Sequence, residues 1–244
     1  MISIEDLVVE FSGRRVLDGI SLNVPAGGLT VLLGKNGSGK SVLLKTVMGL
    51  IQPGSGAVRI GDGAHSADGK EDPTVRMGYV FQKGGLFDSL TVFDNVAFPL
   101  RRQGMGEDDV LGIVTGILDR VGLAGSEIKF PSELSGGMQK RVGLARAVCI
   151  NPEILLYDDP TAGLDPILSD SIAELMLDIR RNYRTTSIVA THDLKVAEKI
   201  ADEIALLYGG KIVFMGTRGD FFGEGSAFAR QFRTGDAEGP IDLY

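Results

Sequence analysis

The chain has one cysteine, no tryptophan and no long apolar run. A single cysteine, Cys149, excludes an internal disulfide and a thiolate metal cluster, and it favours a reducing compartment. No window approaches the roughly 18 uncharged apolar residues that a membrane-spanning helix requires. The first residues, MISIEDLVVEF, also lack the basic start and apolar core of a signal peptide. The sequence therefore does not predict a self-standing membrane protein.

An excess of positive charge is missing as well. The 25 basic and 32 acidic residues give a net charge of −7, which disfavours binding to nucleic acid or to an anionic membrane surface by bulk charge. With 43% hydrophobic residues among 244, the chain is long and apolar enough for one domain with a real core. Glycine is abundant instead, at 34 residues, and this indicates many turns and close backbone approaches.

The order of the predicted elements indicates an α/β fold. Short apolar runs bounded by turn residues predict strands at 3–11, 16–24, 30–34, 57–60, 76–82, 153–159 and 186–192. Helical spacing predicts helices at 41–50 and 170–182, with a helical insert at about 91–150. The polar stretch 61–73, which contains His65, is predicted to be an exposed turn, and a closing hairpin is predicted at Gly209-Gly210. The prediction is an α/β core with antiparallel strands at both ends.

A glycine-rich loop between a predicted strand and a predicted helix matches the spacing G-x-x-x-x-G-K-[ST]. The loop consists of Gly34, Lys35, Asn36, Gly37, Ser38, Gly39, Lys40 and Ser41. Backbone N–H groups of such a loop point at phosphate oxygens, and the positive end of the following helix strengthens their attraction. Lys40 would supply a cation for the β- and γ-phosphates, and the Ser41 hydroxyl would ligate Mg²⁺. The loop predicts a nucleotide-phosphate site.

Polar side chains lie at the ends of three other predicted strands. Asp158 and Asp159 close an apolar strand, at the end where ligands of parallel α/β sheets bind. The first aspartate is expected to hold Mg²⁺, and the second to orient or deprotonate a water molecule. His192 is expected to contact the γ-phosphate, and the Gln82 amide is expected to ligate Mg²⁺ or to hold water.

The segment Leu134-Ser135-Gly136-Gly137-Met138-Gln139 resembles the signature motif of ATP-binding-cassette (ABC) ATPases. With the phosphate loop, Gln82, Asp158, the stretch 163–166 (GLDP) and His192 in the family order, the resemblance covers residues 1–220. It implies a P-loop NTPase fold of the ABC-ATPase type over 1–220, with a mixed core sheet, an antiparallel β subdomain and a helical subdomain at about 91–150. Residues 221–244 are then a C-terminal tail, either docked or frayed.

The resemblance also implies an assembly. Two copies would pack head to tail as a dimer, most simply a homodimer, so that Lys40 of one copy faces Ser135 of the other across ATP and Mg²⁺. Ser135, Gly136 and Gly137 would complete the phosphate site, and Asp165 would couple the two sites across the interface. Integral membrane permease subunits are the expected partners, which places the ATPase at the cytoplasmic face of the inner membrane.

Within this family, stretches 81–101, 131–138 and 230–240 are similar to the ATPase of Mla-type phospholipid transporters. Those systems work with lipid-binding substrate proteins between bacterial membranes. An importer ATPase for another solute is the alternative reading. Leu86 and Phe87, just after Gln82, either form an exposed surface for a permease helix or pack under the helical insert. Soluble ABC proteins of DNA repair or translation are disfavoured by the acidity and the single uninterrupted cassette.

Two positions depart from the family pattern. Asp159 stands where the family usually has glutamate, and its carboxylate is retracted by about 1.5 Å, a single carbon–carbon bond. The sequence therefore leaves open both an active ATPase and an ATP-binding half-site with little hydrolysis. The residue that stacks on adenine is also open: Phe11 is the candidate unless it lies in the core, and Arg14 or Arg15 would then take the role.

Overall fold

The computed structural model describes residues 1–61, 63–65, 75–223 and 226–242. The chain divides into two compact units: unit 1 comprises Met1–Val75 and Thr186–Tyr244, and unit 2 comprises Arg76–Thr185. In chain order the strands are β1 (Ile2–Phe11), β2 (Arg14–Val24), β3 (Leu29–Leu33), β4 (Ser55–Ile60), β5 (Gly63–His65), β6 (Met77–Val80), β7 (Ile154–Asp158), β8 (Thr186–Thr191), β9 (Glu203–Tyr208) and β10 (Lys211–Thr217). The helices are α1 (Lys40–Val47), α2 (Val92–Arg102), α3 (Glu107–Arg120), α4 (Gly136–Val148), α5 (Pro166–Tyr183), α6 (Leu194–Ile200), α7 (Arg218–Phe222) and α8 (Ala227–Thr234), with a short 3-10 helix at Pro131–Glu133.

Unit 1 contains an antiparallel sheet and a mixed set of strands. The antiparallel sheet has the order β2-β1-β4-β5. In the mixed set, β3 pairs in parallel with both β8 and β9, and β10 pairs antiparallel with β9. All five residues of β3 are buried, as expected for a strand covered on both faces. These pairings confirm the predicted α/β architecture with antiparallel strands at both ends of the chain.

Unit 2 contains the parallel pair β6–β7 and the helices α2 to α5. Residues 91–150 fold as α2, α3, the 3-10 helix and α4, so the predicted helical insert is confirmed. Asn95 organises its start, because its buried side chain donates to the carbonyls of Phe87, Leu90 and Thr91 and accepts from Phe87 N–H at 2.8 Å. Cys149 is buried, and this burial raises the pKa of its thiol to about 12.

Local structure differs from the prediction in two places. Helix α5 begins at Pro166, four residues before the predicted start, because the Asp165 carboxylate caps it by accepting from the N–H groups of Ile167 and Leu168 at 2.9 Å. Within the stretch predicted to be an exposed turn, Gly63–His65 forms strand β5, which pairs with β4. Residues 62 and 66–74 lie outside the described residues. In the described ranges we find no helix long and apolar enough to cross a bilayer.

The residues that follow β10 pack against other parts of unit 1, to which they belong. Gln231 of α8 binds both backbone groups of Ile241: its Oε1 accepts from Ile241 N–H at 2.6 Å and its Nε2 donates to Ile241 O at 3.0 Å. Ile241 is buried. The Asp242 N–H donates to the Tyr208 hydroxyl at 2.7 Å, and the Asp242 carbonyl accepts from Lys35 Nζ at 2.6 Å. The tail is therefore docked through residue 242 and contacts a lysine of the phosphate loop.

Candidate functional site

The phosphate loop of unit 1 connects β3 to α1, which is the context that the spacing requires. Leu33, the last residue of β3, is paired in register with Thr191, the last residue of β8. Because parallel strands point the same way, Gly34 and His192 leave their strands at the same edge. The structure thus brings together the phosphate loop and the histidine that the sequence assigned to the γ-phosphate.

Two glycines of this loop are required by its geometry. Gly39, the residue before α1, has a φ of 106°, and a Cβ there would lie 2.9 Å from Leu17 Cδ2. A Cβ at Gly34 would lie 2.6 Å from the Leu207 carbonyl oxygen, closer than real Cβ contacts. The backbone can therefore turn tightly into the helix only with glycine at these positions.

The polar side chains of the loop fit a polyphosphate. Lys40 is only 7% exposed, and its Nζ donates to Gly34 O at 2.8 Å and to Lys35 O at 2.9 Å. The ammonium is therefore held by the carbonyls of the first two loop residues. The Ser38 hydroxyl is buried and finds no hydrogen-bond partner within the described ranges. A buried hydroxyl without a partner is costly, and a bound phosphate oxygen would satisfy it. The loop fits the phosphates of a nucleotide.

In unit 2, the carboxylates and Gln82 share one edge of the parallel pair. Val80, the end of β6, is in register with Tyr157, one residue before the end of β7. Asp158 ends β7, and Asp159 and Gln82 follow within two residues of their strand ends. Within unit 2, these three residues therefore lie at the same edge of the parallel pair, as the sequence predicts.

Tyr79 orients the carboxylate that the sequence assigns to Mg²⁺. Its hydroxyl donates to Asp158 Oδ2 at 3.0 Å. Burial, followed by the charge of Asp158, raises the pKa of Tyr79 far above the usual tyrosine range, so the hydroxyl stays a donor at every physiological pH. The bond restricts the rotamer of Asp158, and a carboxylate is a hard oxygen ligand of the kind that Mg²⁺ prefers.

Asp159 is buried and has an unusual backbone conformation, with a φ of 46°. Left-handed backbone is sterically costly for most residues, and aspartate tolerates it better than glutamate. The shorter residue is therefore compatible with the local chain path. This gives a structural reason for aspartate at a position where the resemblance implies glutamate.

A buried lysine, Lys140, stands near both carboxylates. Its Nζ donates to the backbone carbonyl of Gln82, and the side chain is 7% exposed. Burial lowers the pKa of Lys140, while the negative charges of Asp159 and then Asp158 oppose that effect. The sequence motifs do not single out this residue, because α4 carries two further cations, Arg141 and Arg146, and nothing in the sequence sets Lys140 apart from them.

The signature segment begins α4. Ser135 is the N-cap residue, and its Oγ accepts from Met138 N–H at 3.4 Å. Gly136 and Gly137 form the first helical turn, so their N–H groups lie at the positive end of the helix. A serine followed by two glycines at a helix start is a suitable anion site, as the sequence suggested.

The exposed fractions of Phe11 and Phe87 decide two alternatives that the sequence leaves open. Phe11 is 47% exposed at the end of β1, so the reading that places it in the core is wrong. Arg15 forms an ion pair with Asp18 at 2.8 Å.

Phe87 is 43% exposed and its ring contacts Phe98 with centroids 4.9 Å apart, whereas Leu86 is half-buried. An exposed aromatic surface follows Gln82.

A phosphate loop between a strand and a helix, and an aspartate at the end of a parallel strand, define a P-loop nucleotide-hydrolysing domain. A family model described as ABC transporter matches residues 17–162. The chain belongs to the ABC transporter family. It is an ATP-binding cassette that hydrolyses ATP with Mg²⁺ as the usual cofactor, and cassettes of this family work as dimers with membrane permease subunits.

Similar proteins cover nearly the whole chain. A probable ribonucleotide transport ATP-binding protein of Mycobacterium leprae is 38% identical over 246 residues, with 99% of this chain and 71% of that protein covered. The chloroplastic protein TRIGALACTOSYLDIACYLGLYCEROL 3 of Arabidopsis thaliana is 37% identical over 260 residues, with 99% and 75% covered. A solved ATP-binding cassette, dimeric and bound to ADP and phosphate, is 28% identical with a TM-score of 0.80, covering 89% of this chain and 99% of that chain.

Proposed function

We propose that this chain is the ATPase of an Mla-type phospholipid transporter. It would act as a homodimer at the cytoplasmic face of the inner membrane, beneath integral permease subunits that work with a lipid-binding substrate protein. Support comes from the resemblance of stretches 81–101, 131–138 and 230–240 to that group. The observation that carries the proposal is the similarity, over 99% of this chain and 75% of the relative, to a plant protein that bears the name of a glycerolipid.

In this proposal the phosphate loop binds ATP. Backbone N–H groups from 34–41 and the start of α1 surround the phosphates, and the Ser38 hydroxyl gains the partner that it lacks in the described ranges. Lys40 exchanges its bonds to two loop carbonyls for phosphate oxygens. His192, at the same strand edge, contacts the γ-phosphate.

The Mg²⁺ ligands of the chain would be Ser41, Gln82 and Asp158. Bound Mg²⁺ neutralises charge on the β- and γ-phosphates. Tyr79 holds Asp158 in the orientation needed for this role. Asp159, buried beside it, accepts the proton of the attacking water or orients that water together with His192.

The second copy would supply the signature. Ser135, Gly136 and Gly137 present the N-terminus of α4 to the γ-phosphate of the partner copy, and this excludes bulk water from the reaction. Asp165, which caps α5, would lie at the interface and couple the two sites. Closure and reopening would move the exposed Phe87–Phe98 surface, to which a permease helix docks.

The transported substrate is tested by isolating the complete complex. We expect the chain, tagged and extracted in mild detergent from its native cells, to retain permease subunits, a lipid-binding partner and co-purifying glycerophospholipid detectable by mass spectrometry. A Lys40→Ala variant of the tagged chain gives the matched control for assembly without turnover. Retention of a binding protein for a small polar solute, without lipid, would support the importer alternative, since another relative is named for ribonucleotide transport.

A second candidate function is an ATP-binding half-site with little hydrolysis. The observation that favours it is the short carboxylate of Asp159, about one carbon–carbon bond behind the position that a glutamate would reach. In this reading the chain would bind ATP and dimerise, and a partner site would perform hydrolysis. Single-turnover hydrolysis separates the two candidates and is treated in the Discussion.

A further inference from the structure

We propose that Lys140 and Arg146 are positioning residues that hold the backbone of loop 82–85 against α4, so that Gln82 and the signature tip move as one body. The inference rests on the proposed function, in which Gln82 supplies a Mg²⁺ ligand and Ser135 a phosphate contact. Lys140, Gly143 and Arg146, together called the α4 clamp, carry it. All of these residues lie in unit 2.

The first part of the α4 clamp is a set of side-chain bonds to loop carbonyls. Lys140 Nζ donates to Gln82 O. Arg146 donates from one guanidinium nitrogen to Gly85 O at 2.8 Å and from another to Gly84 O at 3.2 Å. Three carbonyls within four consecutive loop residues are therefore held by two cations of one helix. Charged donors make such bonds stronger than neutral ones.

The second part is close backbone packing. The clamp residues are three positions apart and so lie on one side of α4. Between the two cations, a Cβ at Gly143 would approach Gly84 O to 3.1 Å. In the opposite direction, a Cβ at Gly84 would approach the Gln139 carbonyl oxygen to 3.3 Å. The loop and the helix are thus in contact through their backbones, and neither surface has room for a side chain.

The clamp reaches from the signature to the exposed aromatic surface. The helix that carries it begins at Ser135. At its other end, the Arg146 guanidinium lies over the Phe87 ring, 5.6 Å from the centroid, and Phe87 in turn contacts Phe98. A displacement of this aromatic surface would therefore be passed through Arg146 and Lys140 to the helix whose first turn, in the proposed function, contacts ATP. Gln82 moves with it because its carbonyl is bound to the same helix.

Hydrogen exchange and Mg²⁺ titration of the full chain test the clamp. In Lys140→Met, amides of loop 82–87 should exchange about tenfold faster without nucleotide, because local opening is no longer opposed by the ammonium. Gly84 N–H, bonded to Phe81 O at 2.9 Å, and Phe87 N–H, bonded to Asn95 Oδ1 at 2.8 Å, are the reporters. We also expect the half-saturating Mg²⁺ concentration for ATP hydrolysis to rise about tenfold, as for other residues that orient metal ligands. The KM for ATP should change less than about twofold, because the phosphate loop is intact.

Conservative and matched variants separate positioning from general stability. Lys140→Arg keeps a cationic donor and should restore both readouts. Gly143→Ala adds a methyl group against Gly84 and should accelerate the same amides. Gly112→Ala adds a methyl group on α3, where a Cβ meets nothing within 4 Å, and should leave the exchange of the loop amides unchanged. If Lys140→Met fails to fold, the glycine pair carries the test.

The proposal fails if loop amides keep wild-type exchange in Lys140→Met and Gly143→Ala. It also fails if exchange rises equally in α3, or if Lys140→Arg behaves like Lys140→Met, since a loss of general stability would then explain the change. Exchange without nucleotide does not depend on catalysis. A wild-type chain that fails to hydrolyse ATP would therefore contradict the proposed function and leave this readout unaffected.

Discussion

Lys40→Ala should abolish ATP turnover, with a loss of at least about 10²–10³ in the rate, the range found when one donor to a transition-state oxyanion is removed. In the wild type the ammonium is buried and held over the phosphate loop by the carbonyls of Gly34 and Lys35. It is therefore positioned before ATP arrives, and alanine removes both the charge and its bonds to the two loop carbonyls. The measurement is steady-state ATP hydrolysis by the purified chain, together with equilibrium binding of a fluorescent ATP analogue.

Lys45→Ala is the control for this variant. Lys45 lies on the same helix, α1, in its last turn, and outside the phosphate loop. The Lys45→Ala variant should hydrolyse ATP at close to the wild-type rate. Near-normal turnover in Lys40→Ala would contradict the assignment of the nucleotide site, whatever the behaviour of the control.

Asp159→Asn should lower single-turnover hydrolysis by about 10²–10⁴, the usual contribution of positioned proton transfer, while ATP binding persists. Asparagine has nearly the same shape and cannot accept the proton. Asp159→Glu is the more informative variant, because it moves the carboxylate forward by about 1.5 Å. Glutamate is also less stable than aspartate in a backbone conformation with a φ of 46°. If Asp159 is the working base, Asp159→Glu should not exceed the wild-type rate by more than a few-fold.

The half-site reading makes the opposite prediction for the same pair. It requires slow hydrolysis in the wild type, no further loss in Asp159→Asn, and a large rise in Asp159→Glu alone. Thermal unfolding of all three proteins is the control, because a destabilised Asp159→Glu would lower its rate for a reason unrelated to the length of the carboxylate. Asp119→Asn, an exposed carboxylate on α3, should change neither rate nor unfolding temperature.

Much of the fold could be predicted because its signals are local. Strands such as β3 and β7 are short apolar runs between turns, and the phosphate loop is a fixed spacing between a strand and a helix. The start of α5 was predicted too late although its signals are local: an aspartate that caps the helix, followed by a proline in its first turn. In the sequence the same two residues also belong to the GLDP stretch, which has the spacing of a family motif and so masks the helix start.

The candidate site was predictable in its motifs and not in the contacts that support them. Tyr79 and Asp158 are 79 positions apart, and Lys140 and Gln82 are 58 apart, so only the folded chain brings them together. The same applies to the tail, where Gln231 and Tyr208 fix the backbone of 241–242. The exposure of Phe11 could not be predicted either, because an aromatic residue at the end of a strand is compatible with burial and with exposure.

The central claim is that ATP joins two copies through the signature serine. The most direct test is the molar mass in solution of Asp159→Asn with ATP and Mg²⁺, because slow hydrolysis should trap the closed state. The account predicts a twofold rise in mass with ATP, no rise with ADP, and its loss when Ser135 is replaced by arginine at the start of α4. A chain that binds ATP and keeps the mass of one copy under all these conditions would contradict it.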